Sequence, residues 1–251
     1  MAASGRFSWR FAAAILLVVL AILVARWPLS WATHWLPRGV TCERPAGTVW
    51  HGRCEQLAAS GLQLGTATWQ LRALPLLRAT LAATVDARTG TEHVQGEIEL
   101  RPDGRLIVNR AQGDLVLGQG MLRNSAMGLG GRLHAQVERA VLHERALVDL
   151  AGVFTVRDLV QGVTRLGSVE VRFDEAPGGA QRSQGIEGTL RDLGGPLGIE
   201  GHVTLTRDAG YVVDGLVTLR ADTPPALARQ ITFLGRPDAA GRRPFSFAGT
   251  Y

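Results

Sequence analysis

A mainly β fold is predicted: a single N-terminal transmembrane helix followed by a periplasmic antiparallel β-sheet body, a curved sheet or groove, with one or two short helices. Three observations predict it. Apolar and polar residues alternate through most of the chain beyond residue 37, Gly- and Asp-containing turns interrupt the alternation, and one charge-free apolar run lies near the start. The 31 glycines and an aromatic content of 6% point the same way, toward many turns and few large hydrophobes.

From Phe11 to Ala25 the run FAAAILLVVLAILVA carries no charge, with Arg6 and Arg10 before it and Arg26 after it. As a helix this core covers only ~22 Å, short of the ~30 Å of bilayer hydrocarbon. Trp9 at one end and Trp27, Trp31 and Trp35 at the other complete the span, because indoles favour the membrane interface and Arg26 reaches outward along its aliphatic stem. The helix is expected to end near Trp27-Pro28. Two arginines ahead of the run, with no acid among the first forty residues, leave the N-terminus in the cytoplasm and place the remainder in the periplasm. The small residues of SWA at 30–32 offer a competing reading as a cleaved signal, against which stand the long apolar core and the tryptophans crowding that site. The expected division is therefore 1–36 as cytoplasmic terminus, inner-membrane anchor and interface segment, and 37–251 as the periplasmic β-rich domain.

Beyond the anchor come Cys42 and Cys54 in CERPAGTVWHGRC. Strands around 40–44 and 49–56, paired antiparallel, bring these two across from each other, and an oxidising compartment lets them bridge. A zinc site using both thiolates with His51 and His34 has none of the short ligand spacings such sites use. Further along, HVQGEIELRPDGRLIV alternates Val94, Gly96, Ile98 and Leu100 up to a turn at Asp103-Gly104, and Leu106 and Val108 resume the pattern. EGHVTLTRDAGYVVDGLVTL repeats this arrangement, with Val203 and Leu205 before RDAG and Tyr211 and Val213 after it. The stretch from Leu133 to Val156 also reads as strand. Of the helices, TPPALARQITFLG has Thr223 as N-cap, prolines in the first turn, Leu227, Ile231 and Leu234 on one face, and Gly235 as a stop. LGQGMLRNSAMG at 117–128 is a second, weaker helix candidate.

The charge pattern and motifs narrow the function. All 27 basic residues are arginine, giving a net charge of +5, but they are dispersed, as Arg72, Arg78, Arg88, Arg101, Arg105 and Arg110 illustrate. No basic run interleaves with aromatics, so nucleic acid is not an expected partner. The six histidines, at 34, 51, 93, 134, 143 and 202, are scattered, and HERA at 143–146 lacks the second histidine of a zinc-protease helix. No nucleophile elbow, phosphate loop or dinucleotide turn is present. No catalytic residue, metal or cofactor is expected, and the chain reads as a scaffold or binding component, not an enzyme.

Four blocks, LPRGVTCERPAGTVWHGRCEQL, GLQLGTATWQLRALPLL, RDLGGPLGIEGHVTL and FLGRPDAAGRRPFSFAGT, resemble in that order the type II secretion system protein N family. The resemblance runs from about residue 36 to the C-terminus. Gly47, Thr48, Val49, Trp50 and Gly52 carry the first block, Trp69, Leu71, Leu74 and Pro75 the second, Gly194, Gly195 and Pro196 the third, and Gly235, Pro237, Asp238, Gly241 and Arg242 the fourth. It implies a single-pass inner-membrane component of the machine that moves folded exoproteins across the outer membrane, with other inner-membrane secretion subunits as partners and no enzyme activity. The cysteine pair is not part of that pattern and rests on the physical argument alone. Trp50 is expected to bury a large apolar area against the sheet, with a partner surface formed by Trp50 and His51 as the alternative.

Two other functions remain in view. Exported hairpins with apolar alternation can curl into a groove lined by residues such as Leu205, Val213 and Leu219, which would hold lipid acyl chains; an unfilled apolar face favours this reading, a closed packed core the scaffold. FSFAGTY at the C-terminus alternates like an outer-membrane barrel strand, but a retained helix holds the chain in the inner membrane.

Overall fold

Alternation of side chains builds thirteen strands, each paired with the one before it in the chain. The structure is a computed structural model that describes residues 9–29, 40–59, 62–117, 129–144, 146–175, 185–207 and 209–250. The strands are β1 (Val40–Gly47), β2 (His51–Ala59), β3 (Leu62–Arg72), β4 (Leu81–Thr89), β5 (Glu92–Leu100), β6 (Leu106–Leu117), β7 (Leu129–His143), β8 (Ala146–Gln161), β9 (Thr164–Phe173), β10 (Ile186–Gly194), β11 (Leu197–Leu205), β12 (Gly210–Leu219) and β13 (Arg243–Thr250). They form one antiparallel sheet in strict sequence order from β1 to β13. At about 4.8 Å per strand step, β13 lies about 58 Å along the sheet from β1. Sheets beyond about ten strands coil under their own twist.

Both predicted hairpins are present. The β5–β6 turn holds Asp103 and Gly104, with Gly104 N–H donating to the Arg101 carbonyl (3.0 Å) and Arg105 N–H to the Asp103 carboxylate (3.1 Å). The β11–β12 turn closes through Thr206 N–H to the Gly210 carbonyl (2.8 Å). The stretch 133–156 is strand, divided between β7 and β8. The helix candidate at 117–128 falls, apart from Leu117 at the end of β6, outside the described residues.

Among the described residues two α-helices accompany the sheet. The apolar run forms α1 (Trp9–Ala25), 17 residues long, and stops two residues before the expected Trp27-Pro28. Residues from Ile15 to Val24 expose their large apolar side chains along it. Among the described residues no helix is long and apolar enough to cross a membrane. The second helix, α2 (Pro225–Ile231), runs into a 3-10 turn at Thr232–Leu234 and ends at Gly235, whose φ of 116° suits glycine. Thr223 is not its N-cap: Pro224 takes that position without a side-chain bond. The Thr223 hydroxyl instead donates to the Pro196 carbonyl (2.6 Å) and accepts from Arg220 N–H (2.9 Å), because the prolines carry the helix start one residue further on.

Candidate functional site

Register carries one residue from each strand into a single row across the sheet. Pro45 pairs with Cys54, then Ala67, Ala87, Val94 and Gly113 on β3 to β6. The row continues through Ala135, Phe154, Val171, Leu190, Gly201 and Gly215 and ends on Phe245 of β13. No polar side chain interrupts it. One residue along, the parallel row reads Ala46, Arg53, Thr68, Asp86, Gln95, Gln112, Gln136, Val153, Arg172, Thr189, His202, Asp214 and Ser246, almost wholly polar. A side-chain period of two therefore carries an apolar row across the sheet on one face, while the other face is mainly polar along this row and buries Ile107, Val141 and Ala151 further along. Leu205, Val213 and Leu219 share the apolar face, as expected, opposite Tyr211, Val203 and Leu197.

Bulges keep that division intact. Between Gln95 and Glu97 the β6 strand advances an extra residue at Arg110, which takes a left-handed φ of 47°, and β7 does the same between Val137 and Arg139. Without them every apolar residue on one side of the bulge would turn to the polar face. Aromatic rings fill the gaps left by glycines on the apolar face. Trp69 lies over Gly52, Phe173 over Gly188, Phe245 over Gly215 and Tyr211 over Gly249, each so close that a Cβ there would strike the ring. Two buried clusters form on this face. Ala140, Leu150, Phe173, Ile186 and Val203 make the first. Leu197 and Val217 make the second together with Leu227 and Ile231 of α2, so α2 covers the apolar face at the β11–β13 end. From β3 to β6 the larger side chains of this face, Trp69, Val85, Ile98 and Val108, are only half buried.

The first two resemblance blocks meet where α1 joins the sheet. Thr48 N–H donates to the His51 carbonyl (3.0 Å), and Gly47, at φ 89°, has no room for a Cβ against that carbonyl. Val49 N–H donates to the Trp27 carbonyl (3.1 Å), and Pro28 forms a bridge with Thr48. Trp50 is half buried, and its indole N–H reaches the Val24 carbonyl in the last turn of α1 (2.7 Å). The same carbonyl accepts from Trp27 N–H (3.3 Å), so Trp50 adds a second, shorter bond at the end of α1. The Trp50 carbonyl accepts from Leu71 N–H (2.8 Å), and Trp69 donates its indole N–H to the Val49 carbonyl (3.1 Å). Just beyond, Leu74 and Pro75 open a 3-10 helix at Leu74–Arg78. Cys42 and Cys54 form the expected disulfide, with Cα atoms 5.7 Å apart. They are not directly opposite: Cys42 faces Leu57 and Cys54 faces Pro45, and Arg44 at φ 49° brings them together. The bridge removes both thiolates from any zinc site, and His34 lies outside the described residues.

The other two blocks flank α2. Gly194 and Gly195, at φ 121° and 132°, turn β10 into β11, and a Cβ on Gly195 would meet the Gly167 Cα at 2.5 Å. Arg220 clasps this turn, donating to the Asp192 carboxylate (2.5 Å), to the Gly195 carbonyl (2.8 Å) and, from its backbone, to the Pro196 carbonyl (3.2 Å). After α2, Gly235 and Pro237 lead into a turn closed by Asp238, whose carboxylate accepts from Ala240 N–H, Arg242 N–H and the Arg242 side chain (2.9, 2.9 and 2.8 Å), with Gly241 at φ 75°. Arg242 also donates to Glu200 on β11 (2.9 Å). Both connections of α2 are thus tied to the sheet. Arg220 and Asp192, 28 residues apart, had no signal in the sequence.

On the polar face, Asp86 binds His93 (2.7 Å) and Arg88 (3.1 Å), and Glu97 sits between Arg72 (2.9 Å) and Arg110. The His93 hydrogen bond, aided by Arg88, holds the Asp86 carboxyl below its ordinary 3.8, and the Arg110 and Arg72 guanidiniums hold Glu97 below its ordinary 4.5. A carboxyl depressed in the folded chain contributes stability that is complete above its unfolded value and is lost as the pH falls through its folded value. The unfolding midpoint should hold from neutral pH to 4.5 and decline below it. Glu97→Gln should lower the neutral midpoint slightly and flatten that decline; an unchanged acid limb in the variant would remove Glu97 from the account. Among the described residues no three His, Cys, Asp or Glu side chains converge to hold a metal ion.

Comparison with known protein families matches residues 38–246 to type II secretion system (T2SS), protein N. No curated protein and no solved structure matches the chain. The family match takes in the second and third blocks whole, most of the first and fourth, and every strand from β1 to β12, well over half of the sequence, and the chain belongs to the type II secretion system protein N family.

Proposed function

We propose that the chain is an inner-membrane accessory component of the type II secretion system, anchored once by α1, with its N-terminus in the cytoplasm and its sheet in the periplasm. It aids export by stoichiometric association with other inner-membrane subunits, not by turnover. The observation that carries this reading is the junction of α1 with the first block: an exposed apolar helix hydrogen-bonded through Trp50 to a sheet that bears a disulfide. A helix covered in exposed Leu, Ile and Val needs an apolar solvent, and a disulfide belongs on an oxidising side of a membrane. Arg6 and Arg10, ahead of the apolar run that begins at Phe11, support this orientation. N-terminal sequencing of protein from isolated membranes should read the uncleaved terminus, and crosslinking in the native host should recover secretion subunits. A mature terminus near Thr33, or crosslinks to no secretion subunit, would sink the proposal.

A second reading is favoured by the unbroken apolar row from Pro45 to Phe245. A single sheet with half-buried apolar side chains from β3 to β6 offers a groove for lipid acyl chains, and the row then acts as its floor. A photoreactive residue in place of Ile98 on that face should capture phospholipid or lipopolysaccharide, while one in place of Gln95 on the polar face should not. Equal capture at the two positions would remove the groove from consideration.

A further inference from the structure

Four leucines of the exposed apolar surface gather at one place in the sheet. Leu74 and Leu77 stand on the 3-10 helix between β3 and β4, 79% and 86% exposed, and at a spacing of three they share one side of it. Leu81 opens β4 and Leu100 closes β5, paired with each other in register and also exposed. In an antiparallel meander the β1–β2, β3–β4 and β5–β6 connections lie at the same end of their strands. The first of these holds the end of α1, and the Trp50 that reaches Val24 also accepts from Leu71, three residues before Leu74. The leucines therefore stand beside the point where the apolar helix meets the sheet.

The charges around them are mostly basic. Arg78 and Arg101 line the same depression as Leu74 and Leu77, and neither makes an ion pair among the described residues. Glu99 is the one acid lining it. Exposed leucines rimmed by arginine match a bilayer interface, where aliphatic side chains enter the acyl boundary and guanidiniums meet anionic headgroups.

We infer that Leu74, Leu77, Leu81 and Leu100, with Arg78 and Arg101, form a second membrane contact that seats the β3–β5 end of the sheet on the anionic surface of the bilayer holding α1. This rests on the anchored reading of α1. It fixes the orientation of the sheet: a helix alone leaves the body free to swivel, whereas two contacts hold this mouth of the apolar face against the lipid.

The full chain, reconstituted in nanodiscs of phosphatidylethanolamine and phosphatidylglycerol, tests it. With Cys42 and Cys54 bridged, one introduced cysteine is the only free thiol for an environment-sensitive nitrobenzoxadiazole label. Separate labels go to Val18→Cys in α1, Leu77→Cys, and Val163→Cys, which is fully exposed in the β8–β9 turn at the opposite strand end. The expected result is a blue-shifted label quenched by doxyl-lipid at 18 and at 77, and a water-like, unquenched label at 163. Quenching at 77 should weaken in nanodiscs of phosphatidylcholine while that at 18 stays; equal quenching in both lipids would remove the arginines from the contact. Quenching at 18 with a water-like label at 77 overturns this inference and leaves the anchor standing. A blue-shifted but unquenched label at 77 means the leucines are covered by protein and also overturns it. A water-like label at 18 overturns the anchor and this inference together.

Discussion

Leu227→Ala destabilises the chain by about 3 kcal/mol, within the range of about 2–5 kcal/mol measured when a buried leucine is cut to alanine. Leu227 is 2% exposed, and with Ile231 it presses α2 onto Leu197 and Val217. A helix of seven residues has no stability of its own, so this packing is what holds it. Truncation leaves a cavity under a helix tied at both ends by Arg220 and Arg242, which prevents it from settling to fill the space. Urea unfolding of the full chain in detergent measures the loss. Phe233→Ala, at a position 90% exposed, is the control and should stay within about 0.5 kcal/mol of the parent. A cost below about 1 kcal/mol for Leu227→Ala would show that α2 is not seated as described.

Replacing both cysteines by serine has a comparable effect by another route. The bridge spans 12 positions, and closing a loop of that size restricts the unfolded chain by roughly 3 kcal/mol in the chain-entropy model. It also fastens β1, which among the described strands pairs only with β2. The double variant should lose about that much stability, and amide exchange in β1 should accelerate ahead of exchange in β7 and β8. Uniform acceleration across all strands would mean that the bridge acts on the unfolded chain alone and does nothing particular for the edge.

Strand and turn content was legible because it is local. Alternation at Val94, Ile98 and Leu100 needs only neighbouring residues to be recognised, and Asp103-Gly104 marks its turn by its own backbone preference. The helix over 223–235 was legible except at its start, where the choice between Thr223 and Pro224 depended on whether the Thr223 hydroxyl found a partner elsewhere. It did, in Pro196, 27 residues away. The role of Trp50 was not legible either. A tryptophan in a strand turn reads as buried surface, and only the approach of Val24 shows that its indole N–H closes the end of α1.

The sequence by itself determined the class of the fold, the cysteine pair, the apolar N-terminal run and the family, because each is written in short-range pattern or in ordered blocks. The tertiary structure alone decided that one apolar row runs unbroken across the sheet. Alternation establishes two faces within each strand, but which face continues into the next strand depends on register. A shift of one residue inverts it. The left-handed Arg110, the matching bulge in β7 and the length of every turn set that register. They align Pro45 with Phe245 through eleven intervening strands, a relation no window of sequence contains.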